Sequence, residues 1–261
     1  MSEFWDIIEP ALDLAEVRRI TEIGAEHGGM SSRLAQYALA HGGHLTSIDP
    51  APSAAFLEWL QTQQCVTHVA QPSLDVIDQL PAADAWVIDG DHNWYTVYHE
   101  LHAIWRRQQA AGQPMLALLH DVAWPCARRD QYYAPDRIPA DFLLPHSFDR
   151  GIDLTGMVGP NRGFRGCGSF AYAIEEGGVR NGVLTAVEDF VAEVGVDRFY
   201  WARIPAVFGL GVLFERSAVY ANELVTHLAP LHESPLIARL EENRLANYLA
   251  VIDWQDRTAS A

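Results

Sequence analysis

The chain has 261 residues, of which 49% are hydrophobic and 20% are charged, and its formal net charge is -16. This length and composition predict one packed domain over residues 1–261, since a single core organises up to about 250 residues. The negative charge repels polyanions, and no segment has the pattern of a secretory leader or a membrane span. We therefore expect a cytoplasmic protein with a small-molecule substrate and without nucleic-acid or membrane partners.

Up to about residue 120, short apolar runs alternate with longer segments of helical period. This alternation predicts an α/β fold in which helices wrap a parallel sheet. Strands are predicted at 17–23, 44–48, 66–70, 85–88 and 115–119, and helices at 7–16, 31–40, 53–63, 73–80 and 94–107. Three of these helices open with a serine, Ser31, Ser53 or Ser73, whose hydroxyl can cap the first N–H groups of the helix.

An irregular segment follows the fifth predicted strand. Residues 124–178 are rich in proline and glycine, and we expect this insertion to be functional or mobile, as insertions of this length in a compact domain usually are. Beyond it we predict a helix at 183–194 and apolar runs at 199–206 and 209–214, joined by two residues as in a hairpin. A last helix at 236–252 either caps the sheet or joins a second subunit, which leaves homo-oligomers open.

Polar and glycine residues follow the first two predicted strands. The carboxyl ends of parallel strands share one edge of the sheet, and ligands bind in the crevice beyond it. Glu22, Gly24 and Gly28 form an E-x-G-x-x-x-G pattern, in which glycines allow a tight turn and the carboxylate could receive a ligand ammonium. Asp49 ends the second strand, from which an acid can hold the two hydroxyls of a ribose. The alternative is that Glu22 and Asp49 only cap turns.

Three stretches carry a resemblance to a known family: LTSIDPAPSAAFLEWL, VIDGDHNWYTVYHEL and LLHDVAWPCARRDQYY. Over residues 15–255 the sequence resembles the class I S-adenosylmethionine-dependent methyltransferases of the small-molecule, bacterial secondary-metabolism type. The resemblance implies a Rossmann-like seven-stranded, mostly parallel sheet with an antiparallel last strand, helices on both faces and a lid insertion after the fifth strand.

The resemblance also implies how the chain would hold S-adenosylmethionine. Glu22, Gly24 and Gly28 would surround its methionine end, and Asp49 would hold its ribose. Ser73 and Leu74 would flank the adenine. Asp89, at the end of the fourth strand, is a further cofactor-binding candidate.

A divalent metal such as Mg²⁺ is a second implied ligand. Carboxylates and an imidazole converge from two neighbouring strand ends, where Asp89, His120 and Asp121 are the candidate ligands. Metal-dependent relatives place an oxygen ligand where this chain has His120, so this departure puts magnesium in doubt. The alternative is that Asp89 and Asp121 bind cofactor or cap helices without a metal.

Methyl transfer to a neutral hydroxyl requires a group that removes a proton. His92 is the first candidate base because it follows the fourth strand end and imidazole titrates nearest neutrality. His120 is the second candidate, and a ligand role suits it equally well. Either histidine could instead be a hydrogen-bonded structural residue.

The start of the insertion offers candidate acceptor-binding residues, Arg128, Arg129, Tyr132 and Tyr133. Guanidinium groups pair with carboxylates and rings stack on rings, so a hydroxylated, aromatic or acidic acceptor would suit them. The alternative is that the arginines pair with acids of the lid itself and the tyrosines pack beneath it.

These features predict an O-methyltransferase acting on a hydroxyl of a natural-product intermediate, either a sugar or a phenol, with metal assistance left open. A second hypothesis is a metal-dependent hydroxylase or cyclase that keeps the fold and the cofactor but does not transfer a methyl group. A third is a non-catalytic scaffold, against which the intact set of strand-end residues argues.

Overall fold

The computed structural model describes residues 1–259 of the chain. Its first half alternates helices and strands, as the apolar periodicity predicts. The strands are β1 (Arg19–Ile23), β2 (His44–Ile48), β3 (Val66–Val69), β4 (Ala85–Ile88) and β5 (Leu116–His120). The helices are α1 (Trp5–Leu14), α2 (Gly29–Ala40), α3 (Ala54–Leu60), α4 (Ser73–Val76) and α5 (Trp94–Ala111).

The insertion after β5 is built from short strands and turns. Its strands are β6 (Gln131–Tyr132), β7 (His146–Ser147), β8 (Arg150–Asp153), β9 (Gly156–Pro160) and β10 (Ala171–Ala173). β6 and β7 flank β10 in a small antiparallel sheet, and β8 pairs with β9. The small sheets of the insertion are thus not hydrogen-bonded to the main sheet, although Ile152 and Tyr172 pack into the apolar core beside α5 and α6.

Regular structure resumes with elements that complete the main sheet. They are α6 (Val183–Val194), β11 (Phe199–Ile204), β12 (Leu210–Glu215), α7 (Ala221–Leu228) and α8 (Pro235–Ala259). β11 and β12 form the predicted antiparallel hairpin. The predicted two-residue turn is wrong, because β11 ends at Ile204, β12 begins at Leu210, and residues 205–209 form a five-residue loop. In this loop Val207 and Phe208 have φ angles of 45° and 69°, which an extended strand cannot contain.

The seven strands of the main sheet have the order β11-β12-β5-β4-β1-β2-β3. β1 to β5 are parallel, and β12 runs antiparallel to both of its neighbours, which confirms the predicted mixed sheet. One apolar core lies between the sheet and α1, α2 and α7, and a second lies between the sheet and α5 and α6. The helices thus cover both faces and leave the carboxyl ends of the strands as the accessible edge.

Only one of the three predicted serine caps is present. Ser53 accepts a hydrogen bond from the backbone N–H of Phe56 and caps α3. Ser31 and Ser73 do not cap, because their hydroxyls donate to the buried carboxylates of Glu22 and Glu100 instead. A buried carboxylate without a hydrogen-bond donor costs more free energy than a helix start without a serine cap, because the first N–H groups of a helix can find other acceptors.

The C-terminal helix α8 packs on the insertion and the 205–209 loop. Arg162 and Arg165 of the insertion pair with Asp253 and Asp256 of α8 at 2.7 and 2.8 Å. Its opposite side exposes apolar side chains, namely Leu236, Leu240, Val251 and Trp254. Within residues 1–259, none of the helices has both the length and the apolar character needed to cross a membrane.

Candidate functional site

The carboxyl ends of β1, β2 and β4 meet around a single glycine. Gly24 has a φ of +91°, and a Cβ at this position would lie 2.3 Å from the carbonyl oxygen of Asp89. Its N–H donates to the carbonyl of Ile48 at the end of β2. Only glycine permits this approach, so the tight turn predicted after β1 joins three strand ends into one edge.

Glu22 lies at the base of this edge and is completely buried. Its Oε2 accepts hydrogen bonds from the hydroxyls of Ser31 and Ser47 at 2.6 and 2.8 Å. Its Oε1 is buried without a hydrogen-bond partner among the described residues. Burial raises the pKa of Glu22 to about 7, against the hydrogen bonds from the two serines. A buried acceptor of this kind can receive a donor from a ligand.

Asp49 ties the ends of β1 and β2 together. Its Oδ2 accepts the N–H groups of Ala25 and Glu26, both at 2.9 Å, and its Oδ1 accepts that of Ala51 at 2.8 Å. The turn-capping alternative for Asp49 is therefore present in the structure. It does not compete with ligand binding, since a carboxylate has about four lone-pair positions and can also accept from a ribose hydroxyl.

Ser73 and Leu74 begin α4 directly beyond β3. The Ser73 hydroxyl donates to Oε1 of Glu100, a completely buried residue of α5. Burial raises the pKa of Glu100 to about 8, against the hydrogen bond from Ser73. Leu74 is partly buried beside Ser73. Sequence reasoning missed Glu100, whose only signal is an acid on the apolar side of α5.

Asp89, His120 and Asp121 form a compact cluster at the ends of β4 and β5. Nδ1 of His120 lies 3.1 Å from Oδ1 of Asp89 and 3.0 Å from Oδ2 of Asp121. Although burial lowers it, the two carboxylates raise the pKa of His120 to about 10. Nε2 of His120 is 3.1 Å from the carbonyl oxygen of Val207 and must carry a proton, because a carbonyl only accepts. His120 is therefore not free to act as a base.

His92 is the histidine that the structure leaves in a position to accept a proton. Its Nδ1 lies 3.3 Å from Oδ2 of Asp121, and its ring centroid is 5.9 Å from that of Tyr133. A carboxylate near Nδ1 favours the tautomer in which Nδ1 carries the proton and Nε2 has a lone pair. The His92 side chain is 9% exposed, so the ring has little contact with solvent.

Three of the four predicted acceptor-binding residues are engaged within the protein. Arg128 pairs with Glu188 of α6, and Arg129 is buried and donates to the carbonyls of Ala173 and Ile174. Tyr132 is also buried, with its hydroxyl donating to the neighbouring Asp130. Arg129 and Tyr132 match the structural alternative, because their polar groups have partners inside the insertion, whereas the partner of Arg128 lies outside it, on α6. Tyr133 differs, since it is exposed and faces His92.

A series of aromatic rings extends from His92 to His120. We call this set the aromatic collar, and its members are Trp124, Tyr133, Phe164, Phe170, Tyr172 and Phe208. It begins at Tyr133 beside His92 and ends at Phe208, whose ring centroid is 6.5 Å from that of His120. Successive rings between these ends have centroid separations of 5.3 to 6.4 Å. Its residues are scattered over a long stretch of irregular sequence, which is why sequence reasoning found only Tyr133.

The N-terminal segment lies against the same edge. The amino group of Met1 is 3.4 Å from Oδ2 of Asp89, and the ring of Phe4 is 6.1 Å from that of His120. Met1 and Phe4 are both buried. They cover the part of the edge nearest to the metal-ligand candidates, a contact that no sequence motif signals.

The edge fits S-adenosylmethionine at its amino-acid end. Glu22 offers a buried, unpartnered oxygen to an ammonium. Gly28 precedes α2 as its N-cap and has no side chain to cap it, so the first N–H groups of the helix can receive a carboxylate. The cluster at β4 and β5 also fits a divalent cation, since ligand atoms of Asp89, His92 and Asp121 lie within 4.8 Å of one another and His120 Nδ1 contacts both carboxylates.

The part of the chain that forms this edge is similar to known methyltransferases. Residues 21–122 match a family model described as a methyltransferase domain. A search of curated protein sequences found no match. The matched range runs from β1 to just beyond β5 and contains Glu22, Asp49, Asp89 and Asp121, but not the insertion.

Solved structures with a similar chain path include several methyltransferases. One is the SAH-bound Podospora anserina methyltransferase PaMTH1, with 14% identity and a TM-score of 0.47, covering 82% of this chain and 77% of that one. Another is a putative caffeoyl-CoA O-methyltransferase from Staphylococcus aureus, with 12% identity, a TM-score of 0.46 and coverages of 82% and 83%. Over residues 21–122 the chain is thus similar to methyltransferase domains, as its sequence motifs indicated.

Proposed function

We propose that the chain transfers the methyl group of S-adenosylmethionine to a hydroxyl oxygen of a small molecule, a sugar or a phenol. The observation that carries this proposal is the buried, unpartnered oxygen of Glu22 at an edge shared with Asp49 and Asp89. A buried acceptor beside an uncapped helix start suits the ammonium and carboxylate of an amino acid. The family-model match over the same residues supports a methyltransferase.

Each residue of the edge has a part in holding the cofactor. Glu22 receives the ammonium, Gly24 and Gly28 let the backbone approach the methionine end, and Asp49 accepts from the ribose hydroxyls. Ser73 and Leu74 lie beyond the neighbouring β3, where they flank the adenine. S-adenosylmethionine supplies an electrophilic methyl group on a sulfonium, so the protein has to align the acceptor oxygen and remove its proton.

His92 removes that proton. Asp121 holds Nδ1 of His92, which leaves the Nε2 lone pair to take the hydroxyl proton as the oxygen–carbon bond forms and the carbon–sulfur bond breaks. The methyl group leaves the sulfonium without its bonding pair, and S-adenosylhomocysteine is the second product. Tyr133 and the aromatic collar border His92 and provide apolar walls for an acceptor ring or the apolar face of a sugar.

Turnover with mass-spectrometric detection tests this function. The chain is incubated with S-adenosylmethionine and a panel of phenols and sugars, and we expect one methylated product together with S-adenosylhomocysteine. His92→Gln should bind cofactor normally but turn over about 100-fold to 10,000-fold more slowly, since the base is lost. Tight cofactor binding without S-adenosylhomocysteine from any acceptor would instead favour a hydroxylase or cyclase.

A further inference from the structure

The outer side of α8 presents large apolar side chains to solvent. Leu236, Leu240, Val251 and Trp254 are each more than half exposed, whereas Leu245 on the inner side is buried. The helix is therefore held on the protein by one side only. A single exposed leucine needs no explanation, but four large apolar side chains on one side of one helix indicate a binding surface.

These side chains follow a repeat along α8. Residues 236, 240, 243, 247, 250 and 254 follow one another in alternating steps of four and three residues, and all of them are exposed. At 100° per residue they lie on the side of the helix opposite to Leu245. Steps of four and three residues form the narrow seam along which two helices pack in a coiled coil. The pattern therefore indicates that this side of α8 receives another helix.

The seam is self-complementary about its middle, near residue 245. When a second copy of α8 is laid against the first in the opposite direction, Leu236 comes opposite Trp254 of the second copy. Leu240 likewise comes opposite Val251 of the second copy. These contacts recur at both ends of a seam about 27 Å long. A two-fold contact between identical chains requires a surface of this kind, so a second copy of the chain fits the whole seam.

Two asparagines lie in the middle of the seam. Asn243 of one copy comes opposite Asn247 of the other, and both side chains are exposed in the single chain. Their carboxamides can donate and accept hydrogen bonds across the contact. A polar residue within an otherwise apolar seam costs some stability but fixes the register of the two helices. The asparagines therefore favour a pair that is centred on residue 245.

Charged residues on one flank of the seam also suit the antiparallel pair. Arg239 pairs with Glu242, and Asp253 pairs with Arg257 near the other end of the helix. In the antiparallel pair, Arg239 lies at the level of Asp253 of the second copy and on the same flank. Opposite charges then face each other twice, once at each end of the contact, which favours this orientation.

We propose that the chain forms a homodimer in which the outer sides of two α8 helices pack antiparallel. The inner side of the same helix contacts the insertion, where Arg165 pairs with Asp256 and the ring centroid of Phe164 lies 5.9 Å from that of Tyr248. The dimer contact thus stabilises the helix on which the aromatic collar rests. The dimer requires neither cofactor nor acceptor, so it goes beyond the proposed methyl transfer and can fail separately from it.

Sedimentation equilibrium of the full chain without cofactor or acceptor tests the association. At about 100 μM the unsubstituted chain should sediment mainly as a dimer. Leu240→Glu and Trp254→Glu each place a charge in the seam at an exposed position, so each should raise the dissociation constant of the dimer at least about 30-fold. Val219→Glu is the matched control, since Val219 is fully exposed but lies outside α8, and it should change the dissociation constant by less than about threefold.

Two results of this experiment overturn the proposal. One is an unsubstituted chain that stays monomeric at this concentration, which would leave the outer side of α8 to a different partner. The other is a dimer that Leu240→Glu and Trp254→Glu weaken no more than Val219→Glu does, which would place the contact elsewhere on the chain.

Cross-linking tests the orientation while the large apolar side chains stay in place. In a Cys167→Ser background the remaining cysteines, Cys65 and Cys126, are buried. Arg239→Cys and Ala250→Cys lie on the same flank, and the antiparallel pair brings them together across the two copies. A short bismaleimide should link an equal mixture of the two variants but neither variant alone, because each site lies about 15 Å or more along the axis from its own copy. Links within one variant alone, or none in the mixture, contradict the antiparallel pair.

Discussion

The strand-end edge and the insertion use similar residues in opposite ways. At the edge, the Glu22 carboxylate keeps an oxygen without a partner, and Asp49 satisfies only backbone N–H groups. In the insertion, Asp130 accepts the N–H groups of Trp94 and Gly182 and the hydroxyl of Tyr132. Polar groups of the edge therefore remain available to a ligand, while those at the start of the insertion hold the insertion in place.

The contrast shows that a residue's position in the sequence predicts ligand binding at the end of a strand but not in an irregular segment. A residue at the carboxyl end of a parallel strand is placed at the common edge by the sheet itself. A residue in a long connection has no such constraint, and its polar groups are first used to satisfy the connection's own buried backbone. Exposure and partners, rather than residue type, then separate Tyr133 from Arg129 and Tyr132.

The largest expected effect is on the anchoring of the insertion. Asp130→Ala removes three buried hydrogen bonds, so the free energy of unfolding should fall by about 3–5 kcal/mol and the melting temperature by about 10 °C. Differential scanning calorimetry measures both. The exposed Asp136→Ala in the same segment is the control. Equal melting temperatures for the two variants would contradict an anchoring role.

The pH dependence of stability sharpens the comparison at the edge. The pKa of Glu100 is raised by burial from 4.5 to about 8, so the folded state binds a proton that the unfolded state releases. The contribution of Glu100 to the free energy of unfolding is fully present below pH 4.5 and is lost as the pH rises to about 8. The loss is at most about 1.4 kcal/mol for each unit by which the folded-state and unfolded-state pKa values differ. Glu100→Gln should remove that decline, measured by urea unfolding between pH 5 and pH 8.

The urea series also has an internal check. Glu22, with a pKa raised to about 7, gives a decline of the same sign that stops near pH 7. In Glu100→Gln the remaining decline should therefore end near pH 7. If the free energy of unfolding changed with pH in the same way in the unsubstituted chain and in Glu100→Gln throughout this pH range, Glu100 would not carry a proton in the folded state.

A smaller effect is expected for cofactor affinity. Asp49→Ala should weaken binding of S-adenosylhomocysteine by about 1–3 kcal/mol, since hydrogen bonds between a carboxylate and the ribose hydroxyls are lost. Isothermal titration calorimetry measures this change. Asp197→Ala, an exposed acid far from the edge, should leave the affinity unaltered. Equal affinities of Asp49→Ala and Asp197→Ala for S-adenosylhomocysteine would show that Asp49 only caps the turn and does not bind the ribose.

The smallest effect concerns Arg128 and Glu188. A double-mutant cycle with Arg128→Met and Glu188→Gln should give a coupling of at most about 1 kcal/mol, because the pair is partly exposed to solvent. Chemical denaturation measures it. A coupling energy of zero would mean that Glu188 does not hold the Arg128 guanidinium, which could then bind an acceptor. In that case polar groups at the start of the insertion would be available to a ligand, as those of the edge are.

The sequence predicted the main sheet well because period and alternation follow from burial. β2 and β4 begin and end where the apolar runs do, and the convergence of β1, β2 and β4 follows from parallel strand ends. Glu22, Asp49 and Asp89 could therefore be placed on one edge before any coordinates.

The partners of His120 and Glu100 and the aromatic collar could not be predicted, because they depend on contacts between segments that are distant in the sequence and have no periodic pattern. The carbonyl of Val207 accepts from His120 because the 205–209 loop departs from the extended conformation, and Glu100 on α5 accepts from the hydroxyl of Ser73 at the start of α4. The aromatic collar joins rings from Trp124 to Phe208. Such pairings are set by tertiary packing, which local propensity does not encode.

A crystal structure of the chain with S-adenosylhomocysteine tests the central claim most directly. We predict the amino group at Oε1 of Glu22, the ribose hydroxyls at Asp49 and the adenine beside Ser73 and Leu74. A ligand bound elsewhere on the chain, or an edge that stays empty at saturating ligand with Glu22 Oε1 still unpartnered, would contradict the assignment.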